Sequence, residues 1–121
     1  MSNAINWFEI PATNLKRAVK FYEEVLEAEL QPMESNGLKM AFFPASDNGV
    51  GGSVKYGDDS KPNPDGTLIY LNGGDDLAKP LSRVEKAGGK ILMPKTSIGP
   101  NGFMAHLMDT EGNKIALHSM K

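Results

Sequence analysis

The 121-residue chain contains no cysteine, which excludes disulfide bonds, zinc–thiolate sites and a thiol nucleophile. The same absence fits a reducing compartment, so we expect a cytoplasmic protein. No apolar run approaches the roughly 20 residues of a membrane-spanning helix. The first residues, MSNAINWFEI, also lack the basic residue and long apolar stretch of a secretory signal. We therefore expect no membrane partner.

The chain also lacks a dominant charge. Its 13 Lys and Arg against 15 Asp and Glu give a net charge of −2, without a run of one sign or basic residues interleaved with aromatics. A nucleic-acid partner is not expected from such a pattern. The sequence contains neither a GxGxxG nor a GxxxxGK[ST] phosphate loop, and neither GxSxG nor HExxH. Composition alone therefore leaves an ordinary globular protein of unspecified chemistry.

An internal repeat is the strongest positive signal. Residues 7–30 and 69–92 present the same order: a short apolar run, a turn, Asn or Asp before Leu, an amphipathic stretch and renewed apolar residues. A constant offset of 62 places Trp7 opposite Ile69. Halves of about 60 residues would be marginal alone. We expect one domain over residues 1–121, with a first module at about 1–56, a linker at 57–66 and a second module at about 67–121.

Local patterns predict the same elements in both halves. Residues 5–12 alternate as a strand, Asn14 is a good N-cap, and an apolar stripe predicts a helix to about Leu26. Asn36-Gly37 is a hairpin signal, and Asp75 or Asp76 is expected to cap a second helix that ends at Gly88-Gly89. The remaining predicted strands are 28–34, 37–43, 49–55, 67–72, 90–94, 102–108 and 114–119. The order β-α-β-β-β, twice, predicts an α+β fold.

Three segments carry a resemblance to a known family: FEIPATNLKRAVKFYEEVL (8–26), DDLAKPLSRVEKAGGKI (75–91) and DTEGNKIALHS (109–119). In this order and spacing they resemble the vicinal oxygen chelate superfamily of glyoxalase I, bleomycin-resistance proteins and extradiol dioxygenases. Within it, the opening strand resembles small bacterial glyoxalase-related proteins. The resemblance implies two tandem βαβββ modules that form an open, curled mixed β-sheet with a barrel-like cleft, and helices outside. It also implies a small organic molecule as ligand and a homodimer.

Metal-dependent members of that family hold a cation with four His, Glu or Gln side chains, one from the first and one from the last strand of each module. The matching positions here are Trp7, Ile69, Ala116 and a residue near Gly52. None of these side chains coordinates a divalent cation. We therefore expect no metal and no cofactor, although Glu9 and His118 are expected on the same face as possible displaced ligands.

Glu9 and His118 are the candidate catalytic residues. A carboxylate beside Trp7 on a partly apolar face would be poorly solvated, which would suit a general base. The alternative is a carboxylate at the cleft mouth paired with Lys or Arg. His118 could be its acid–base partner or an exposed histidine at a strand end. His106, between Met104 and Met108 on one face, is more simply read as a satisfied structural histidine.

The expected ligand-binding surface is apolar, as small-molecule pockets generally are. Trp7 could stack on a flat ligand or fill the space of the missing metal. The Gly51-Gly52 pair could admit a ligand close to the backbone or form a bulge. The residues assigned to this surface are Trp7, Met40, Phe42, Gly52, Ile69, Leu71 and Ala116; the same apolar types also fill protein cores.

Three functions are consistent with this pattern. The first is a metal-independent lyase or isomerase of the glyoxalase-related type that uses Glu9 as base. The second is a non-catalytic protein that sequesters or senses a small ligand or drug. The third is a metal-dependent lyase or dioxygenase with displaced ligands. The residues alone do not decide whether the protein is an enzyme.

Overall fold

The predicted element order is confirmed in the computed structural model, which describes residues 3–35, 38–57 and 61–121. The first module contains β1 (Trp7–Pro11), α1 (Leu15–Leu26), β2 (Gln31–Ser35), β3 (Leu38–Phe42) and β4 (Gly51–Tyr56). The second contains β5 (Ile69–Asn72), α2 (Ala78–Leu81), β6 (Lys90–Ser97), β7 (Phe103–Met108) and β8 (Lys114–Ser119). A 3₁₀ turn, Gly99–Asn101, precedes β7. The predicted Asn36-Gly37 turn lies outside the described residues.

The strands form two four-stranded mixed sheets with the same topology, so the α+β class is confirmed. The first sheet has the order β1-β4-β3-β2 and the second the order β5-β8-β7-β6. In each, the first strand runs parallel to the last and the other pairs are antiparallel. Neither sheet closes, and within the described ranges no ladder of hydrogen bonds joins one to the other.

Helix α1 begins and packs as its sequence predicts. The Asn14 side chain accepts a hydrogen bond from the Arg17 N–H at 3.0 Å, which caps the first turn. Its buried face consists of Ala18, Phe21, Tyr22 and Val25. Phe21 was not assigned to this stripe by the sequence, but it meets Tyr22 edge to face at 5.0 Å. No described helix is long and apolar enough to cross a membrane.

The second helix is much shorter than predicted. Only Ala78–Leu81 is regular α-helix, and residues 82–88 form turns held partly by i→i−3 bonds, such as Arg83 N–H to Pro80 O. Pro80 lacks an N–H, which weakens the helix at its start. The apolar residues of this stretch nonetheless face the core: Leu77, Leu81 and Val84 are buried, and Ala87 is partly buried.

Equivalent residues of the two modules are separated by one position fewer than the predicted 62. Ala12 N–H donates to Lys55 O at 2.9 Å, and Gly73 N–H donates to His118 O at 2.7 Å. Ala12 and Gly73 are thus structural equivalents, 61 positions apart rather than 62. Because strand side chains alternate between faces, this one-residue correction reverses the face assigned to every residue of β5.

A polar cluster fastens the β7–β8 turn to the start of α1. Glu111 Oε1 accepts bonds from the backbone N–H groups of Thr13 and Asn14, both at 2.9 Å, and Arg17 Nε donates to Glu111 Oε2 at 2.7 Å. Burial alone would raise the pKa of Glu111. The bonds from Arg17, Asn14, Thr110 and Thr13 outweigh it and hold that pKa at about 2, below the ordinary 4.5.

A second, buried contact strengthens this attachment between the modules. The Tyr22 hydroxyl donates to Asp109 Oδ2 at 2.6 Å, and burial, followed by the charge of Asp109, raises the pKa of Tyr22 well above 10. Asn113 Nδ2 donates to Pro11 O at 2.7 Å from the same turn. Around these contacts one apolar core includes residues of both modules, among them Ile10, Val25, Leu77 and Leu117.

The depressed pKa of Glu111 predicts an acid-sensitive fold. A carboxylate whose folded pKa is lowered stabilises the protein above its unfolded pKa, and that contribution is lost as the pH falls from about 4.5 to about 2. We expect Glu111→Gln to lower the free energy of unfolding at pH 7 by about 2 kcal/mol, as for bonds to a charged group. Urea unfolding at pH 7 and pH 3 measures this difference, which should shrink at pH 3.

Glu85→Gln is the matched control, because Glu85 is exposed and lies away from the cluster. An equal loss in both variants, or a Glu111→Gln effect that does not change with pH, would contradict this role of Glu111.

Candidate functional site

Each sheet has one face packed against the core and one face turned away from it, which we call the open face. In β1, Ile10 is buried, whereas Trp7 and Glu9 are exposed. In β5, Leu71 is buried, whereas Tyr70 and Asn72 are exposed. Apart from the irregular part of β6, alternation along paired strands then assigns the strand residues with described side chains to one face or the other.

Equivalent rows of residues cross the two open faces. In the first sheet, Glu9 pairs with Ser53, and Ser53 pairs with Phe42. In the second sheet, Tyr70 pairs with Ala116, and Ala116 pairs with His106. The corrected offset makes Glu9 equivalent to Tyr70, Ser53 to Ala116, and Phe42 to His106. The row in the first sheet therefore contains a carboxylate and a serine hydroxyl, whereas the row in the second contains a phenol and an imidazole.

The open face of the first sheet carries an exposed aromatic pair. The rings of Trp7 and Phe42 meet edge to face with centroids 5.6 Å apart, and 46% of Trp7 remains exposed. Gly51 lies under the indole, since a Cβ at Gly51 would come within 3.0 Å of that ring. A flat molecule could therefore reach the indole from solvent.

Methionine is concentrated on the open faces. Five of the chain's seven methionines lie there, and the other two stand at positions 1 and 120. Met33 and Met40 pair with each other in the first sheet. In the second sheet, Met93 pairs with His106, Met104 with His118, and Met108 with Lys114. Flexible thioethers suit surfaces that adapt to a ligand.

Glu9 lies on the open face, but it is less desolvated than the sequence analysis expected. Its side chain is 42% exposed, and one carboxylate oxygen is 3.7 Å from Lys55 Nζ, which extends from the same face. This geometry agrees with the alternative of a carboxylate paired with lysine. It also leaves the carboxylate partly open to solvent, where a ligand can approach it.

The two histidines differ in their surroundings. His118 Nε2 lies 2.6 Å from Asn101 O, and since a carbonyl only accepts, that nitrogen carries the hydrogen and is engaged. His106 Nε2 is buried without a hydrogen-bond partner in the described part of the chain, so His106 is not a satisfied structural histidine. Burial, followed by the charge of Lys114, lowers the pKa of His106.

Ser53 is the other buried side chain with an unpartnered polar atom among the residues that the structure describes. It is fully buried, and its Oγ makes no hydrogen bond. Ser53 and His106 both lie on open faces, in equivalent rows. Unpaired buried polar atoms are rare in folded proteins, and each is explained most simply by water or ligand. Sequence reasoning missed Ser53 because an isolated serine in a strand gives no signal.

Three residues assigned to ligand binding lie on the opposite side. Gly52 pairs with Phe8, and Ile69 and Leu71 pair with Ile115 and Leu117, on the faces turned toward the core. The 62-residue offset therefore gave Ile69 the wrong face, and Tyr70 takes its place on the open face. Trp7, Met40, Phe42 and Ala116 lie on the open faces as predicted, although Ala116 is fully buried; their ligand-binding roles stay predictions.

A cavity of about 900 Å³ lies mainly on the core-facing side, although Tyr70 and Asn72 also line it. Its walls include Phe8, Phe43, Ile69 and Leu71, with Lys79 and Arg83 at one side. Ile69 and Leu71 both line this cavity, and Ile69 also lines a smaller one beside Glu9. Because the two unpartnered polar atoms and the exposed aromatic pair lie on the open faces, we place the candidate site on those faces.

The donor set does not fit the family's metal centre. Trp7, Glu9, Ser53, Tyr70 and Ala116 are the open-face residues at or next to the predicted ligand positions, and only Glu9 among them is an ordinary ligand of divalent cations. Within residues 3–35, 38–57 and 61–121, no three His, Asp or Glu side chains come together as a possible metal site. The displaced pair is also unfavourable, because it supplies only two ligands and His118 Nε2 already bonds to Asn101 O.

Comparisons with known proteins point to one family. The model of the Glyoxalase/Bleomycin resistance protein/Dioxygenase superfamily matches residues 4–117. A "Glyoxylase-like domain-containing protein" of Didymella fabae is 34% identical over 93% of this chain and 91% of its own length.

Solved structures share the fold at low identity. A glyoxalase/bleomycin resistance protein from Albidiferax ferrireducens has a TM-score of 0.73 at 14% identity, over 95% of this chain and 97% of that one. The fosfomycin resistance protein FosX from Listeria monocytogenes has a TM-score of 0.67 at 13% identity, over 98% and 92%.

The packing of Gly52 predicts a sharp difference between neighbouring glycines. A Cβ at Gly52 would lie 2.2 Å from the Phe8 ring, which packs between β4 and Phe43. We expect Gly52→Ala to lower the free energy of unfolding by about 2 kcal/mol through overpacking. Gly51→Ala is the control in the same strand, because there the exposed Trp7 ring can move aside. Equal stabilities of the two variants in urea unfolding would contradict this packing.

Proposed function

Because the chain belongs to the Glyoxalase/Bleomycin resistance protein/Dioxygenase superfamily, we propose that it binds a small organic molecule on its open faces without a metal ion. The single observation that carries this proposal is the set of exposed apolar groups there. Trp7, Met33 and Tyr70 are each between 44% and 49% exposed, although burial of large apolar side chains would be favourable. Exposed apolar surface of this kind marks ligand or protein interfaces.

We further propose that Glu9 accepts a proton from the bound molecule, as a metal-independent lyase or isomerase would require. Glu9 lies two residues from Trp7 on the same face, so a ligand stacked on the indole would be within reach of the carboxylate. Lys55 Nζ lies 3.7 Å from one carboxylate oxygen of Glu9, so a cation stands beside the proposed base. Ser53 is the neighbour of Glu9 in the ladder, where its unpartnered hydroxyl could hold a polar atom of the ligand.

The second candidate is a binding protein without turnover. The adaptable methionines favour it, since they specify no single ligand shape. One of the structural relatives is a fosfomycin resistance protein. Drug sequestration by this chain would be an activity of the same general kind. Saturable binding without chemical change would distinguish this candidate from the lyase or isomerase.

A homodimer is the assembly that we propose. In addition to Trp7 and Tyr70, Val50 and Leu92 remain exposed, and β1 and β5 are edge strands of their sheets. A second copy could cover these apolar groups and unpaired edges.

Glu9→Gln separates catalysis from binding. We expect the protein, in D₂O with a chelator, to accelerate deuterium exchange at the acidic carbon of a small carbonyl probe such as acetylacetone, followed by proton NMR. Loss of a general base should slow this exchange by at least about 100-fold, while quenching of Trp7 fluorescence by the probe persists. Glu29→Gln, at an exposed position outside the sheets, is the control.

Exchange that survives in Glu9→Gln, or that the chelator abolishes, would contradict the role of Glu9. Saturable Trp7 quenching without any exchange would favour the binding protein.

Light scattering coupled to size exclusion checks the assembly. The chain mass is 13.1 kDa, and we expect twice that value at micromolar concentration, because the exposed apolar groups should be covered. A mass equal to one chain at every concentration would contradict the homodimer.

A further inference from the structure

The two sheets differ in charge. No strand of the second sheet contains Asp or Glu, whereas its strands carry Lys90, Lys95 and Lys114. The first sheet is balanced, with Glu9 and Glu34 against Lys39 and Lys55. A ligand that contacts both open faces would therefore meet a carboxylate on one and a cationic surface on the other.

Two of these lysines flank one position of the second open face. Lys90 and Lys114 both pair with Met108, one from each side, so the three residues form a row. Lys95 already forms an ion pair, because its Nζ lies 2.9 Å from Asp76 Oδ1. In the described part of the chain no carboxylate lies within ion-pair distance of Lys90 or Lys114.

The next row supplies a hydrogen-bonding group. His106 lies two residues from Met108 along β7, and its Nε2 is the buried atom without a partner. The titratable groups on the strands around it are Tyr70, Lys90, Lys95, Lys114 and His118, and none of these is a carboxylate. In the tautomer with its hydrogen on Nε2, the neutral imidazole can donate to an oxygen atom.

We propose that the ligand is a small organic acid whose carboxylate binds on the open face of the second sheet, between Lys114 and the Nε2 of His106, with Lys90 adding charge. Met104, Met108 and the Tyr70 ring would contact its apolar part. Tyr70 meets the His106 ring edge to face at 6.1 Å, so an aromatic acid would fit this surface. This inference rests on the proposed function and names the class of its ligand.

Proton NMR of the histidine rings tests the proposal, because the chain has only two histidines. Benzoate and benzamide serve as probes of the same shape with and without the charge. We expect benzoate to shift the His106 signal saturably, to raise the pKa of His106, and to bind at least about tenfold more tightly than benzamide through attraction to the lysines. The His118 signal, assigned by its loss in His118→Gln, should move less.

Lys114→Gln should weaken benzoate binding about tenfold and leave benzamide binding unchanged. Lys86→Gln removes the same charge from an exposed position outside the sheets and should change neither. If Lys114→Gln does not fold, as shown by the loss of its thermal unfolding transition, Lys90→Gln takes its place. Lys90→Gln should also weaken benzoate binding.

Equal binding of both probes, a shift confined to His118, or no shift of His106 would overturn this inference. The carbonyl probe and Trp7 quenching report on the first sheet, so these outcomes would leave the proposed role of Glu9 standing. Benzoate selectivity that survives in both Lys114→Gln and Lys90→Gln would also overturn it.

Discussion

Two backbone hydrogen bonds determine which side chains meet solvent in this molecule. Ala12 N–H binds Lys55 O in the first module, and Gly73 N–H binds His118 O in the second. Each bond sets the register between the first and last strands of its sheet. A shift of one residue in β5 would exchange Tyr70 for Leu71 on the open face, which would expose a core residue and bury a polar one. The open faces, and therefore the candidate site, depend on this register.

The polar attachment at the β7–β8 turn holds the two modules to a common core. Glu111 binds the N-terminus of α1, Tyr22 binds Asp109, and Asn113 binds the end of β1. None of these side chains lies on an open face, so the residues that join the modules are separate from the residues proposed to bind the ligand. Residues on the open faces can thus vary without loss of the attachment.

Sequence patterns predicted the order of elements because capping, alternation and turns are local signals. Asn14, the α1 stripe and the β8 boundaries agree with the structure. The faces of Ile69 and Leu71 were wrong because a repeat with few identities did not define its offset to one residue, and the position near Gly52 was predicted only approximately. The unpartnered atoms of Ser53 and His106 result from tertiary packing. The charge difference between the sheets can be read from the sequence, but only once the strand boundaries are known.

Met-methyl NMR with a bound ligand tests the central claim, that small molecules bind on the open faces, most directly. Met33, Met40, Met93, Met104 and Met108 report on those faces, whereas Met120 lies beyond β8 and serves as an internal reference. The account predicts saturable shifts in methyl groups of the open faces and a stationary Met120 signal. A ligand that leaves all five methyl groups unchanged while it alters the signals of Ile69 and Leu71, which line the cavity on the other side, would contradict the account.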